Sequence, residues 1–129
     1  ARALADKGEG VVVTQVVPHF ESDVPVARDF RAALARLEPE QAPSFGSLEG
    51  YVAGRIFCEA LASIPGPPTR EGIVDALLGL GHFDLGLGTE LELSPVQHQA
   101  SHQVWPTVIR AGRLVPFDWA RMRELLPQG

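Results

Sequence analysis

The chain is poor in cysteine and basic residues, and it has no long apolar segment. Cys58 is the only cysteine among 129 residues, so no internal disulfide can form and the redox compartment cannot be inferred. The net charge is -5, which argues against a nucleic-acid partner, because phosphate binding needs clustered Lys and Arg. No apolar run approaches the roughly 18–20 residues of a membrane span. The short polar stretch 1–8 does not have the pattern of a secretory signal peptide.

Sequence patterns that carry catalytic or metal chemistry are also missing. His98 and His102 have the i, i+4 spacing of helical metal ligands, but Ser94-Pro95 and Pro106 favour a turn, and no third ligand is close. Cys58 lacks a neighbouring histidine, and its place within a helical pattern predicts a small buried hydrophobe. No Gly-x-Ser-x-Gly or phosphate-binding glycine loop is present. The sequence therefore predicts no catalytic residue, no metal and no cofactor, and a protein that is not an enzyme.

The middle of the chain has the periodicity of three amphipathic helices. The first is predicted over 25–37, where Pro25 suits the first turn. The second, over 47–63, has an apolar face wide enough to predict burial of much of its surface. Thr69 is a good N-cap for a third helix over 69–78, whose buried stripe is predicted to contain Ile73, Val74, Leu77 and Leu78.

The strand signals lie on either side of these helices. The β-branched run 11–17 is typical of a strand covered on both faces, as in a parallel sheet. A short strand is predicted at 90–93, after a glycine-rich loop at 82–88. Residues 104–109 and 114–117 flank Ala111-Gly112, and this spacing predicts a β-hairpin.

The predicted element order is an incomplete α/β pattern. Asp118 is expected to cap one last short helix. Three helices with few strands of their own indicate that a sheet belonging to them is encoded elsewhere, or that they need a partner.

Three blocks, taken in order, resemble a known family. They are Gly10–Pro18 (GVVVTQVVP), Pro43–Leu61 (PSFGSLEGYVAGRIFCEAL) and Leu93–Gly112 (LSPVQHQASHQVWPTVIRAG). Together they resemble the last third of a type I periplasmic solute-binding protein of the leucine/isoleucine/valine-binding family of ABC transporters. The resemblance runs from about Gly8 to Phe117. Because such proteins are more than twice this length, the chain resembles a C-terminal fragment.

The resemblance implies a partial α/β fold with two lobes joined by hinge segments. Residues 1–18 would end a second-lobe segment and form a hinge strand, and residues 19–101 would form the C-terminal part of the first lobe, including the three helices. Residues 102–129 would form the third crossing, a second-lobe hairpin beside 11–17 and the terminal helix. The hinge motion is expected at 17–22 and 99–103.

The resemblance also implies a ligand site in the cleft between the lobes. The start of the second helix would face this cleft, with Phe45, Ser47 and Tyr51 as ligand-binding residues, and a helix N-terminus suits an anion. The alternative is that Phe45 and Tyr51 are core aromatics. His19, in the hinge connection, is expected to be a solvated loop residue.

The function that the resemblance implies is extracytoplasmic solute binding for an ABC importer. The ligand would be an amino acid or a similar small organic acid, and the partner a membrane permease. The alternatives are the sensory domain of a receptor, a small α/β enzyme, and a structural fragment without ligand. The isolated chain is expected to form a homodimer through an apolar interface.

Overall fold

The computed structural model describes residues 7–120, which form three helices and two small antiparallel sheets. The elements, in chain order, are β1 (Val12–Gln15), α1 (Pro25–Leu37), α2 (Phe45–Ala62), α3 (Arg70–Leu78), β2 (Gly81–Phe83), β3 (Leu91–Leu93), β4 (Trp105–Arg110) and β5 (Arg113–Pro116). The predicted α/β class is confirmed. The predicted terminal helix falls mainly on residues 121–129, outside the described part of the chain. None of the described helices is long and apolar enough to cross a membrane.

The helix boundaries follow from the residues that cap them. The bounds predicted for α1 are confirmed, and the Thr69 hydroxyl accepts a hydrogen bond from the Gly72 N–H at 3.0 Å, as expected of an N-cap. The prediction for α2 started two residues too late. Ser44 is its N-cap, so Phe45 lies in the first turn of the helix and not ahead of it.

The larger sheet has the order β1-β4-β5 and joins the two ends of the described chain. Val13 lies opposite Thr107, and the Thr107 hydroxyl donates a hydrogen bond to the Val13 carbonyl at 2.8 Å. The hairpin is therefore beside β1, as predicted. The expectation of parallel pairing for 11–17 is wrong among the described strands, because β4 runs antiparallel to β1. A β-branched run selects a strand, but strand direction depends on the pairing partner.

The hairpin turn has the backbone that its sequence predicted. Ala111 and Gly112 have φ values of 47° and 74°, and a two-residue type I′ turn requires positive φ at both positions. Glu9 holds this turn to the start of β1. Its carboxylate accepts from the Ala111 N–H at 2.8 Å and from the Arg110 guanidinium at 3.1 Å. These two hydrogen bonds, chiefly the one from Ala111, lower the pKa of Glu9.

The small sheet pairs β2 with β3, and it corrects one expectation. The glycine-rich segment 82–88 is not entirely a loop, because Gly81–Phe83 pairs with Leu91–Leu93. Gly86 has a φ of 78°, and a Cβ on it would lie 2.7 Å from Pro25 Cβ. The Gly86 carbonyl also accepts a hydrogen bond from the Val26 N–H at 3.1 Å. This close approach packs the loop against the start of α1.

The core lies between α1, α2 and the loop that joins β2 to β3. It is a single aliphatic and aromatic cluster, consisting of Val17, Val26, Phe30, Leu48, Val52, Leu85, Leu87 and Leu91. Val26 and Leu48 are fully buried. The cluster orients the first turn of α2 toward the connection that follows β1.

One face of α2 stays open in the described structure. The predicted burial of much of this helix is wrong here, since only Leu48, Val52 and Ala60 are buried. The open face is made of Gly46, Gly50, Ala53, Gly54 and Phe57, and the exposed Glu49 lies at its edge. Cys58 is exposed as well, contrary to its predicted burial. The physical reason is the same for each, because no described element packs on this side.

Helix α3 is open in a similar way. It has no fully buried residue, and Val74 of its predicted buried stripe is 49% exposed. The apolar pattern correctly predicted the helix. It wrongly predicted burial of the stripe, because no described element covers it.

We predict that Glu9→Gln destabilises the protein only where Glu9 is ionised. A carboxylate with a lowered folded-state pKa contributes stability above its unfolded pKa, and this contribution disappears as the pH falls through the folded pKa. The melting temperature of Glu9→Gln should therefore be below that of the wild type at neutral pH and should converge with it in strong acid. Glu49→Gln, on an exposed part of α2, is the control. An equal difference at both pH values would contradict the prediction.

We also predict that the isolated 129-residue chain associates through the open face of α2. Burying apolar surface stabilises by about 25 cal/mol per Å², and Phe57 is 43% exposed. Light scattering should show a dimer, and Phe57→Asp should dissociate it. Leu37→Asp, at the 69%-exposed end of α1, should leave it intact. A well-folded, cooperatively unfolding wild-type monomer at micromolar concentration would refute the prediction.

Candidate functional site

The first turn of α2 is organised by a reciprocal pair of serines. The Ser44 hydroxyl accepts from the Ser47 N–H at 3.2 Å, and the Ser47 hydroxyl accepts from the Ser44 N–H at 3.0 Å. This is a capping box. Ser47 thus has a structural role in the cap. The N–H groups of Phe45 and Gly46, at the very start of the helix, have no partner within the helix itself.

Phe45 belongs to an aromatic cluster with His19 and Phe20, hereafter the aromatic cluster. The Phe45 ring lies edge-on to Phe20, with 5.0 Å between the centroids, and edge-on to His19 at 5.2 Å. His19 and Phe20 stack at 4.5 Å. Phe45 is half-buried and also packs against the core. Its inner side is therefore structural, while part of its surface remains accessible to a ligand.

Tyr51 lies apart from the aromatic cluster. At about 100° per residue, it points roughly 120° around the helix from Phe45. Its ring packs against Phe30 of α1 at 5.7 Å, and its hydroxyl accepts a hydrogen bond from Arg55 at 3.4 Å. That hydrogen bond is the main cause of a raised pKa for Arg55. Ser47 shares the first turn of α2 with Phe45 but lies about 200° around the helix from it. Tyr51 lies in the contact between α1 and α2, so the structure does not place the three predicted ligand residues on one face.

The environment of His19 differs from the one predicted from the sequence. It was expected to be solvated but is only 7% exposed, because the connection after β1 folds between α1, α2 and β5. The Glu21 N–H can only donate, so its 3.2 Å contact makes the His19 Nδ1 an acceptor. The His19 Nε2 then carries the hydrogen and donates to the Leu114 carbonyl of β5 at 3.0 Å. The adjacent Phe20, which stacks on His19, was the available local signal of burial.

The connection that carries His19 is tied to α1 as well. The Arg31 guanidinium donates to the Phe20 carbonyl and to the Ser22 carbonyl, at 2.6 and 2.9 Å. A cleft of about 300 Å³ lies between this connection and β5. Glu21 and Arg113 face each other across it at 3.9 Å, and the Ser22 hydroxyl is buried there without a hydrogen-bond partner. The connection thus contacts both halves of the described structure, namely the helices, through α1, and the larger sheet, through β5.

The remaining histidines lie near the small sheet. His98 Nε2 is 3.1 Å from the Pro95 carbonyl, and His102 Nε2 is 2.6 Å from Gln97 Nε2. A polar depression of about 410 Å³ extends from His102 to His82. Within residues 7–120, no group of three or more His, Cys, Asp or Glu side chains is arranged to hold a metal ion.

Comparison with known proteins identifies the family. A family model described as periplasmic binding protein matches residues 1–113. The described fold also matches the crystal structure of a possible leucine/isoleucine/valine-binding protein from Rhodopirellula baltica SH 1, with 49% sequence identity and a TM-score of 0.88. That alignment covers 92% of this chain and 32% of the other. No curated protein matches the chain at a significant level.

Two further solved structures agree with this assignment. A substrate-binding periplasmic protein from Ralstonia solanacearum is 30% identical, with a TM-score of 0.76, over 87% of this chain and 32% of the other. An extracellular ligand-binding receptor from Verminephrobacter eiseniae ef01-2 is 28% identical, with a TM-score of 0.71, over 84% and 31%. The chain spans about a third of the length of each of these proteins. Its fold is a partial type I periplasmic-binding-protein fold, and the chain belongs to the periplasmic binding protein family.

Proposed function

We propose that this chain is part of an extracytoplasmic solute-binding protein that delivers an amino acid or a similar small organic acid to an ABC permease. The observation that carries the proposal is the position of Phe45. It lies in the first turn of α2 and contacts the connection that joins β1 of the larger sheet to α1. A ligand at this junction would touch both halves of the fold.

The chemistry of this junction suits a small amphipathic anion. The N–H groups that begin α2 can hydrogen-bond to a carboxylate, and the helix dipole favours its negative charge. Phe45 would provide an apolar wall against the ligand side chain. Ser47 would act mainly by stabilising the start of the helix through the capping box. Tyr51 would be a ligand-binding residue farther from the start of the helix.

The proposed lobes follow the two sheets. Residues 1–18 and 102–129 would belong to the second lobe, since β1 pairs with the β4–β5 hairpin. Residues 19–101 would belong to the first lobe, which contains the helices and the β2–β3 pair. The ligand would bind where the lobes meet, beside the aromatic cluster.

The partner and location are proposed from the family. Family membership and the periplasmic neighbour support an extracytoplasmic binding protein that is not an enzyme and that works with a membrane permease. The ligands named for the Rhodopirellula protein support a branched-chain amino acid as the first compound to test. The receptor from Verminephrobacter favours a second candidate function, a sensory ligand-binding domain. Both functions use the same site.

We predict that Phe45→Ala weakens the binding of L-leucine about tenfold, because it removes the apolar wall of the site. The measurement uses the full-length protein to which these residues belong, hereafter the full chain. Titration calorimetry gives the affinity, and thermal unfolding gives the stability. Phe30→Ala is the matched control. Phe30 is 3% exposed in the core, so its truncation should cost about 3–5 kcal/mol of stability. If Phe45→Ala lowered the melting temperature as strongly while leaving the affinity unchanged, Phe45 would be a core residue only.

We predict that lobe closure is absorbed at 17–22 and 99–103. Hinges are short connections whose backbone rotates while the flanking elements stay rigid. The Arg31 hydrogen bonds hold residues 20–22 to α1, so the largest φ/ψ changes in the first segment should occur at 17–19. Structures with and without bound ligand test this. The assignment is wrong if both segments superimpose while the rotation occurs elsewhere.

A further inference from the structure

His19 occupies an unusual position for a connecting residue. Among the residues described, it is one of two buried polar side chains, the other being Thr107. Its ring lies between Phe45 of α2 and the Leu114 carbonyl of β5, and both of its nitrogens have hydrogen-bond partners. The Glu21 N–H on one side and the Leu114 carbonyl on the other fix a single neutral tautomer and orientation of this ring.

The two sets of contacts lie in different halves of the fold. The faces and edges of the imidazole contact Phe20 and Phe45, next to the first turn of α2. The Nε2–H donates to Leu114, which lies in the edge strand of the larger sheet. Since 95 residues separate His19 from Leu114, this hydrogen bond is a tertiary contact that crosses from the connection to the hairpin.

The neighbours of His19 show which side of this contact can move. Arg31 holds the carbonyls of Phe20 and Ser22 to α1. A rotation of the larger sheet relative to the helices would therefore leave the backbone after His19 in place and change the distance from His19 to Leu114. A displacement of Phe45 would change its edge contact with the same imidazole ring.

We propose that His19 is a positioning residue that couples ligand contact at Phe45 to the position of β5. This inference rests on the proposed function, because it takes Phe45 as a wall of the ligand site. With the His19–Leu114 hydrogen bond intact, the aromatic cluster is held in the arrangement that receives the ligand. Without it, the equilibrium between arrangements shifts and the apparent affinity falls.

The test uses two variants that each remove one buried side-chain hydrogen bond to a backbone carbonyl. His19→Phe keeps an aromatic ring but loses both hydrogen bonds. Thr107→Val removes the hydrogen bond to Val13 within the same sheet and is 1% exposed in the wild type. We expect His19→Phe to weaken binding of L-leucine to the full chain by about fivefold or more, within the usual range of coupling between sites. Thr107→Val should lower the melting temperature without changing the affinity by more than twofold.

A third variant separates the hydrogen bond from the ring. His19→Gln can still donate to the Leu114 carbonyl, so it should recover part of the affinity that His19→Phe loses. The proposal is overturned if His19→Phe changes only the melting temperature, or if His19→Phe and Thr107→Val weaken binding equally.

A measurement without ligand keeps this test separate from that of the proposed function. In nitrogen NMR spectra of the wild type, His19 should show a protonated Nε2 and an unprotonated Nδ1. Replacing Phe45 by Leu, or by Ala if the fold tolerates it, should shift the Nε2–H signal and speed its exchange with water. An Nε2–H signal that is unchanged in every folded Phe45 variant would refute the coupling, whether or not L-leucine binds. Failure of the wild type to bind L-leucine, with this NMR response present, would count against the proposed ligand alone.

Discussion

The pairing of β1 with β4 is the contact on which the described structure depends. It joins residues at opposite ends of the chain, with Val13 opposite Thr107. Closing so long a loop costs conformational entropy, and the ladder of backbone hydrogen bonds, with the buried hydrogen bond from Thr107, offsets it. Because β1 pairs with the hairpin, the chain segment that contains the helices and the small sheet begins and ends at the larger sheet.

The connection after β1 gains its importance from this arrangement. It is the point at which the chain leaves the larger sheet for the helices, and three kinds of contact meet there. Arg31 binds its carbonyls from α1, Phe45 packs against its rings from α2, and Leu114 accepts a hydrogen bond from His19. A junction between two halves of a fold that is built from directional contacts can hold a defined geometry and still permit rotation. This is the property that a ligand-dependent hinge needs.

The open apolar surfaces have a consistent physical interpretation. The open face of α2 and the apolar stripe of α3 have a composition typical of buried helix surfaces, and no described element covers them. The chain spans about a third of the length of its structural neighbours. The apolar faces of α2 and α3 are therefore typical of helices that are covered by further structure, and the described residues do not include that covering surface.

The sequence by itself determined the elements that local chemistry controls. Pro25 and Thr69 marked the beginnings of α1 and α3, and Ala111-Gly112 marked the hairpin turn, because each depends on the φ preference or the capping group of a residue in place. The order of three sequence blocks also identified the family. These features depend on residues close together along the chain.

Only the tertiary structure decided the features that depend on distant residues. The direction of β1 depends on β4, about 90 positions away. The strand Gly81–Phe83 lies next to a glycine-rich loop and was not predicted, because its pairing with Leu91–Leu93 is not visible in the local sequence. His19 was misjudged for the same reason, since its burial comes from Phe45 and Leu114, which no local pattern links to it. Cys58 is the converse case, because burial of a helix face requires a surface to cover it, and amphipathic periodicity does not specify where that surface comes from.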